Sequence, residues 1–151
     1  MKRQQQLPGM RGVYLTAAEL SKLGFIVCTT SRNAQGADLL ITDQQCLKTF
    51  SVQVKTNNQS TPTHFLIGKK GKDMVSETHV YVLLNILKPS KKNPIDKFEY
   101  YVVPSKVIAE KLEYMKSKSG KAELWFVRTK NILLHKDKWD ILGNPESKGQ
   151  S

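Results

Sequence analysis

The sequence predicts a small α/β domain. Three observations carry that expectation. Val13, Ala17, Leu20 and Leu23 recur at three- and four-residue steps before Gly24, the spacing of one helix face and its stop. Runs of strand length follow, some alternating apolar and polar residues and one almost wholly apolar. Pro104 then opens a second helix-like stretch.

In chain order, residues 1–10 are polar and basic and read as a flexible arm. Residues 11–143 read as a single domain, long enough for a real core. Its first helix runs from Gly12, with Ala18 beside the apolar stripe. Residues 25–30 are β-rich, and 31–36 form a loop by composition. Residues 39–42 and 48–56 are the next two strands. In the second, Phe50, Val52 and Val54 share one face, and Ser51, Gln53 and Lys55 the other. Residues 57–78 are polar, and a connection that long is often functional. Residues 65–67 within it suit a short strand or a packing segment. Residues 79–87 read as a strand buried on both faces. Residues 88–95 form a basic exposed turn, and 97–103 a further strand. From Pro104 a helix extends to about Met115, striped by Val107, Ile108, Leu112 and Met115. Residues 116–121 read as a linker, 124–127 as a last strand-like run, and 132–142 as a terminal element capped by Trp139. The tail 144–151 reads as disordered.

The chain carries 24 Lys and Arg against 13 Asp and Glu, a formal charge of +11. Such an excess favours a polyanionic partner, with DNA or RNA the commonest. The plainer alternative is a soluble Lys-rich protein without one. Cys28 and Cys46 lack CxxC spacing, and no secretory signal opens the chain. Both points suit a reducing cytoplasm, with Cys28 in the core and Cys46 in a turn. No apolar run reaches the roughly 18 residues of a membrane helix, so no membrane partner is expected. His64, His79 and His135 have no zinc-ligand spacing.

Asp38, Gln53 and Lys55 are the most informative residues. A hairpin centred near Gln45 and Cys46 lays Asp38 beside Gln53, and Gln53 and Lys55 point the same way. A carboxylate, an amide carbonyl and an ammonium then gather at one end of a sheet. Such a set suits a hard divalent cation and a water aimed at a phosphodiester. Each residue also has a plainer reading: Asp38 as a turn cap after Gly36, and Gln53 and Lys55 as a solvated strand face. Asp43 reads as a turn residue.

Three ordered pieces carry a family resemblance: Gly12-Val-Tyr-Leu-Thr-Ala-Ala-Glu-Leu20, Asn33-Ala-Gln-Gly-Ala-Asp-Leu-Leu40 and Ser51-Val-Gln-Val-Lys-Thr56. Together they resemble the PD-(D/E)xK nuclease superfamily, which includes restriction endonucleases and Holliday-junction resolvases. The resemblance covers about residues 11–56 and implies a restriction-endonuclease-like fold, with a mixed central sheet of about five strands flanked by helices. It implies that Asp38 is the metal-binding acid and that Gln53 stands where most members have Glu or Asp. Lys55 then orients the attacking water and steadies charge on the phosphate. The implied cofactor is Mg²⁺ (or Mn²⁺), held by Asp38, the carbonyl oxygen of Gln53 and a backbone carbonyl near Val54. Two departures stand out. The acid that many members carry at the start of the helix falls at Val13, leaving Glu19, six residues on, as the accessory acid. Gln53 is neutral, which weakens the hold on a cation.

The implied activity is that of a metal-dependent endonuclease hydrolysing DNA phosphodiester bonds, with branched DNA and RNA left open as substrates. Lys69, Lys70 and Lys72 flank Gly68 and Gly71, and Arg32 and Asn33 precede Asp38; these are the candidate phosphate contacts. Trp125, Phe126 and Trp139 offer rings for base stacking, although core packing is the plainer reading. Many enzymes of this class act as dimers, and the resemblance allows a homodimer. The alternative from another class is a non-catalytic nucleic-acid-binding module on the same scaffold, its metal site eroded at Val13 and Gln53. A third is an interaction protein that binds no nucleic acid.

Overall fold

A computed structural model describes residues 2–31, 35–59 and 61–146, with the backbone alone for 2–6. The element order is α1 (Lys2–Lys22), β1 (Ile26–Thr29), β2 (Leu39–Thr42), β3 (Thr49–Asn57), β4 (His64–Leu66), β5 (His79–Leu87), β6 (Lys97–Pro104), α2 (Ser105–Lys111), β7 (Glu113–Lys116) and β8 (Glu123–Arg128). Short 3-10 turns lie at Lys69–Lys72, Thr129–Asn131, Leu133–His135 and Trp139–Leu142.

The central sheet has five strands in the order β1-β2-β3-β5-β6. β3 and β5 run parallel and the other neighbours antiparallel, so the sheet is mixed. A parallel pair needs a long crossover. The polar residues after β3 supply it, and they carry β4 and the Lys69–Lys72 turn on the way.

Two apolar layers clamp this sheet. α1 lays Val13 and Leu20 over Phe50, Val52 and Val54 of β3 and Val80, Val82, Leu84 and Ile86 of β5. On the opposite face, Tyr81 and Leu83 of β5 meet Phe65, Ile108, Val127 and Ile132. β5 is therefore buried on both sides, as its almost wholly apolar run predicts. Fully burying a side chain such as Leu20 contributes roughly 1.5–3 kcal/mol. The second layer consists of α2 and a separate three-stranded sheet, β4-β8-β7, which the sequence reading does not foresee.

Several boundaries differ from expectation for identifiable reasons. α1 begins at Lys2, so residues 2–10 are helical and not an irregular arm. Pro8 and Gly9 hide this, because Pro8 has no N–H for the helix ladder and Leu7 is exposed, outside any apolar stripe. Leu23 falls beyond the helix and is partly exposed. α2 stops at Lys111, and Leu112 turns extended. Met115 then lies on β7, half exposed, instead of on a helix stripe. The expected linker 116–121 is the β7–β8 hairpin turn, closed by Ser117 N–H to Ala122 O at 2.8 Å, with Gly120 at φ 69°. Cys28 is exposed on the edge strand β1 and not in the core. The C-terminal stretch folds as separate 3-10 turns, with the Trp139 ring 5.4 Å from that of Tyr100. Residues 144–146, assigned to a tail by composition, dock on the domain: Pro145 is buried, and its carbonyl accepts from Gln44 N–H at 3.1 Å. Residues 147–151 lie outside the described residues. Among the described residues, no helix is long and apolar enough to cross a membrane.

Candidate active site

The site begins with a close approach of helix to sheet. A side-chain carbon at Gly12 would run into the Thr56 hydroxyl, so only glycine lets α1 press this closely on β3. That approach sets Met10, Val13 and Tyr14 beside Asp38, Thr29, Thr30 and Ser31 around a cavity of about 170 Å³.

Asp38 is held from both sides of the sheet. Its N–H donates to Val52 O at 2.8 Å, and its carbonyl accepts from Thr30 N–H at 3.0 Å. Leu39 pairs with Val52, so Asp38 faces Gln53, the register that a turn at Gln45 and Cys46 predicts. Asp38 Oδ2 accepts from Gln53 Nε2 at 2.6 Å and from Val54 N–H at 2.8 Å. The carboxylate therefore reaches across to β3 and does not cap its own turn. Asp43 behaves in the opposite way. Its oxygens accept from the N–H groups of Gln45, Leu47 and Lys48. The Leu47 hydrogen bond leads the causes that hold the Asp43 carboxyl below its ordinary value. Asp43 is the turn residue that its sequence context indicates.

Lys55 lies two residues beyond Gln53 on the same face of β3, half-buried. Burial pushes its ammonium pKa down, and the Asp38 carboxylate pushes it partly back up. Lys55 makes no hydrogen bond or ion pair within the described residues, so its N–H donors are free for a ligand. Val54 turns its N–H toward Asp38, and along a strand the N–H and C=O of one residue point to the same side. Its carbonyl therefore faces the same edge, beyond the end of the β2 pairing.

These donors fit a small hard cation in kind: a carboxylate with one oxygen outside the hydrogen bonds, an amide oxygen and a backbone carbonyl. Magnesium sites commonly use one or two carboxylates and keep several waters. No three His, Cys, Asp or Glu side chains converge among the described residues, so the set has one formal charge.

Val13, where the resemblance alone would place a helix acid, lines the Asp38 cavity. Glu19 does not. It pairs with Lys22 at 3.8 Å and lies near Tyr100, whose hydroxyl is pushed up to about 12 by burial first, then by Glu19 and Asp137. Of the candidate phosphate contacts, Lys70 hydrogen-bonds Gln35 Oε1 next to the site loop, while Lys69 and Lys72 are exposed on the same turn. Arg32 and Asn33 lie outside the described residues. The aromatic candidates are engaged in packing: Phe126 against His64, Trp125 against Tyr114, Trp139 against Tyr100.

A larger cavity, about 320 Å³, opens beside the first and is lined by Gln35, Gly36, Ala37, Ser51, Met74, Ser76 and His79. Ser51 Oγ lies 2.7 Å from His79 Nδ1 there. Sequence reasoning passed over both residues. Period-two alternation places Ser51 on the face of Gln53 and Lys55, a usable signal. His79 opens an apolar strand, and nothing local marks it. No protein-family model matches the chain, and no curated protein matches its sequence.

Proposed function

We propose that the protein is a metal-dependent endonuclease that hydrolyses DNA phosphodiester bonds at Asp38, Gln53 and Lys55. The observation that carries this reading is the Asp38 carboxylate, bonded to Gln53 Nε2 at 2.6 Å and within the electrostatic reach of Lys55. The surplus of Lys and Arg supports a polyanionic substrate. Asp38, the Gln53 carbonyl and the Val54 backbone carbonyl would hold Mg²⁺ or Mn²⁺. When bound, the cation supplies Lewis-acid polarisation of the phosphate and an acidified water. Asp38 and Gln53 brace each other, which fixes the oxygens before the substrate arrives. Lys55 donates to the attacking water and to a phosphate oxygen, stabilising the charge that develops there. The restriction-endonuclease-like assignment of the fold belongs to this proposal.

A second reading rests on a specific observation. Val13 lines the cavity where a second acid is expected, so a single carboxylate faces it. On that reading the domain binds nucleic acid without cutting it.

The test is a cleavage assay on supercoiled, linear and branched DNA with Mg²⁺ and Mn²⁺, comparing wild type with Asp38→Ala and Lys55→Ala. Cutting by wild type, with Lys55→Ala reduced about 10²–10³-fold, is the expected result. Salt-sensitive binding without cutting selects the second reading. Equal cutting by all three proteins removes Asp38 and Lys55 from the chemistry.

A further inference from the structure

Ser51 and Gln53 share one face of β3, about 6.6 Å apart along the strand. Neighbouring phosphates of a nucleic-acid strand are spaced on that scale. Ser51 is also the register partner of His79 across the parallel β3–β5 pair. Its hydroxyl lies 2.7 Å from His79 Nδ1, and both residues line the larger cavity. His79 is 5% exposed, and its Nε2 is buried without a partner among the described residues. The contact with Ser51 is thus the ring's hydrogen bond among the described residues, and it fixes the ring toward β3.

The surroundings select the sign of a ligand. Among the described residues, no carboxylate lines the cavity. β3 offers Ser51, and β5 offers Tyr81, whose ring sits edge-on to His79 at 5.2 Å and whose hydroxyl burial keeps neutral. The crossover offers Met74 and Ser76, with Asp73 and Glu77 exposed outside the lining. The loop before β2 offers Gln35, which Lys70 holds at the rim.

We propose that Ser51 and His79 form a subsite for a phosphate oxygen of the nucleotide next to the one cut, with Lys70 supplying charge at its mouth. The assignment rests on the nucleic-acid reading above and extends it to the neighbouring unit of the substrate. His79 Nδ1–H donates to Ser51 Oγ, and the Ser51 hydroxyl donates to the phosphate oxygen. An anion at that position favours the imidazolium over the imidazole.

The experiment is an NMR titration of the His79 ring in the full chain, without metal and at constant ionic strength. It is run alone, with inorganic phosphate, and with a short DNA duplex, alongside DNA-binding measurements on wild type, Ser51→Ala and Ser51→Thr. The duplex is expected to raise the His79 midpoint. Ser51→Ala is expected to lose that rise and to bind DNA about tenfold more weakly. Ser51→Thr, which keeps a hydroxyl, is expected to restore both. A midpoint unmoved by DNA, with Ser51→Ala binding as tightly as wild type, overturns the subsite. A response to inorganic phosphate without one to DNA also overturns it, in favour of a free-phosphate pocket. The cleavage assay separates the two ideas. A DNA-induced rise without cutting leaves the subsite and removes the nuclease, and cutting with an unmoved His79 does the reverse.

Discussion

The two faces of β3 obey different physics. Phe50, Val52 and Val54 lie in the core beneath α1, at most 7% exposed. Ser51, Gln53 and Lys55 are half-buried and polar, facing His79 and Asp38. Apolar burial has no direction and tolerates exchange of similar volumes. The polar face depends on hydrogen-bond geometry, and it holds an ammonium that burial disfavours. One face therefore holds the strand in place, and the other uses that rigidity to keep polar groups aligned. The comparison predicts that damage to the first face is read in stability and damage to the second in binding and chemistry.

The largest effect is expected at Phe50, 2% exposed. Phe50→Ala should lose about 3–5 kcal/mol in urea denaturation. Lys55→Ala should stay within about 1 kcal/mol of wild type, because it deletes a desolvated charge that makes no ion pair. If both cost the same, the division between the faces fails. Next comes Gly12, where helix and strand touch. Gly12→Ala should cost about 1–3 kcal/mol by overpacking against Thr56. It should also disturb the Asp38 cavity, since Val13 and Tyr14 move with the helix. A neutral result would mean that Thr56 rotates aside.

Gln53→Glu sharpens the comparison by changing only the polar face. The Nε2 donor to Asp38 disappears, and a second carboxylate takes its place. In EDTA the variant should be less stable by about 1–3 kcal/mol. Added Mg²⁺ should return that stability, and more steeply than in wild type, by linkage. A variant indifferent to Mg²⁺ in thermal melts would remove the cation from this edge.

What the sequence reveals divides along the same line. The alternation of residues 50–55 and the position of the turn between Asp38 and Gln53 are local, so both the register and the pairing of those two side chains are legible. The apolar run of β5 likewise announces a strand with two covered faces. The parallel pairing of β3 with β5 is not local. It joins Ser51 to His79 across 28 residues, and no pattern in either segment specifies it. The second sheet is hidden for a related reason. β4 is three residues long, and β7 carries its apolar residues exposed, so neither shows a period. The exposure of Cys28 is hidden because composition cannot tell which face of an edge strand meets water.

The smallest effect expected is a pH dependence from His79. Burial holds its imidazole below the ordinary value, with a hydrogen bond to the Ser51 backbone opposing. Between the folded-state pKa and the unfolded value near 6.5, the unfolded chain binds more protons, so stability rises with pH there. The neutral ring is thus fully tolerated above about pH 6.5. Stability falls as pH drops from that value toward the folded-state pKa, and the loss then levels off. One proton limits the slope to about 1.4 kcal/mol per pH unit. His135 is held down by burial too and contributes the same sign, with Lys138 adding to it and a Val102 hydrogen bond opposing. Melting of wild type and His79→Gln between pH 8 and 5 should therefore give a shallower acid limb in the variant, not a flat one. Identical limbs would show that the His79 ring takes up its proton freely, and that the cavity it lines with Ser51 admits water enough to solvate it.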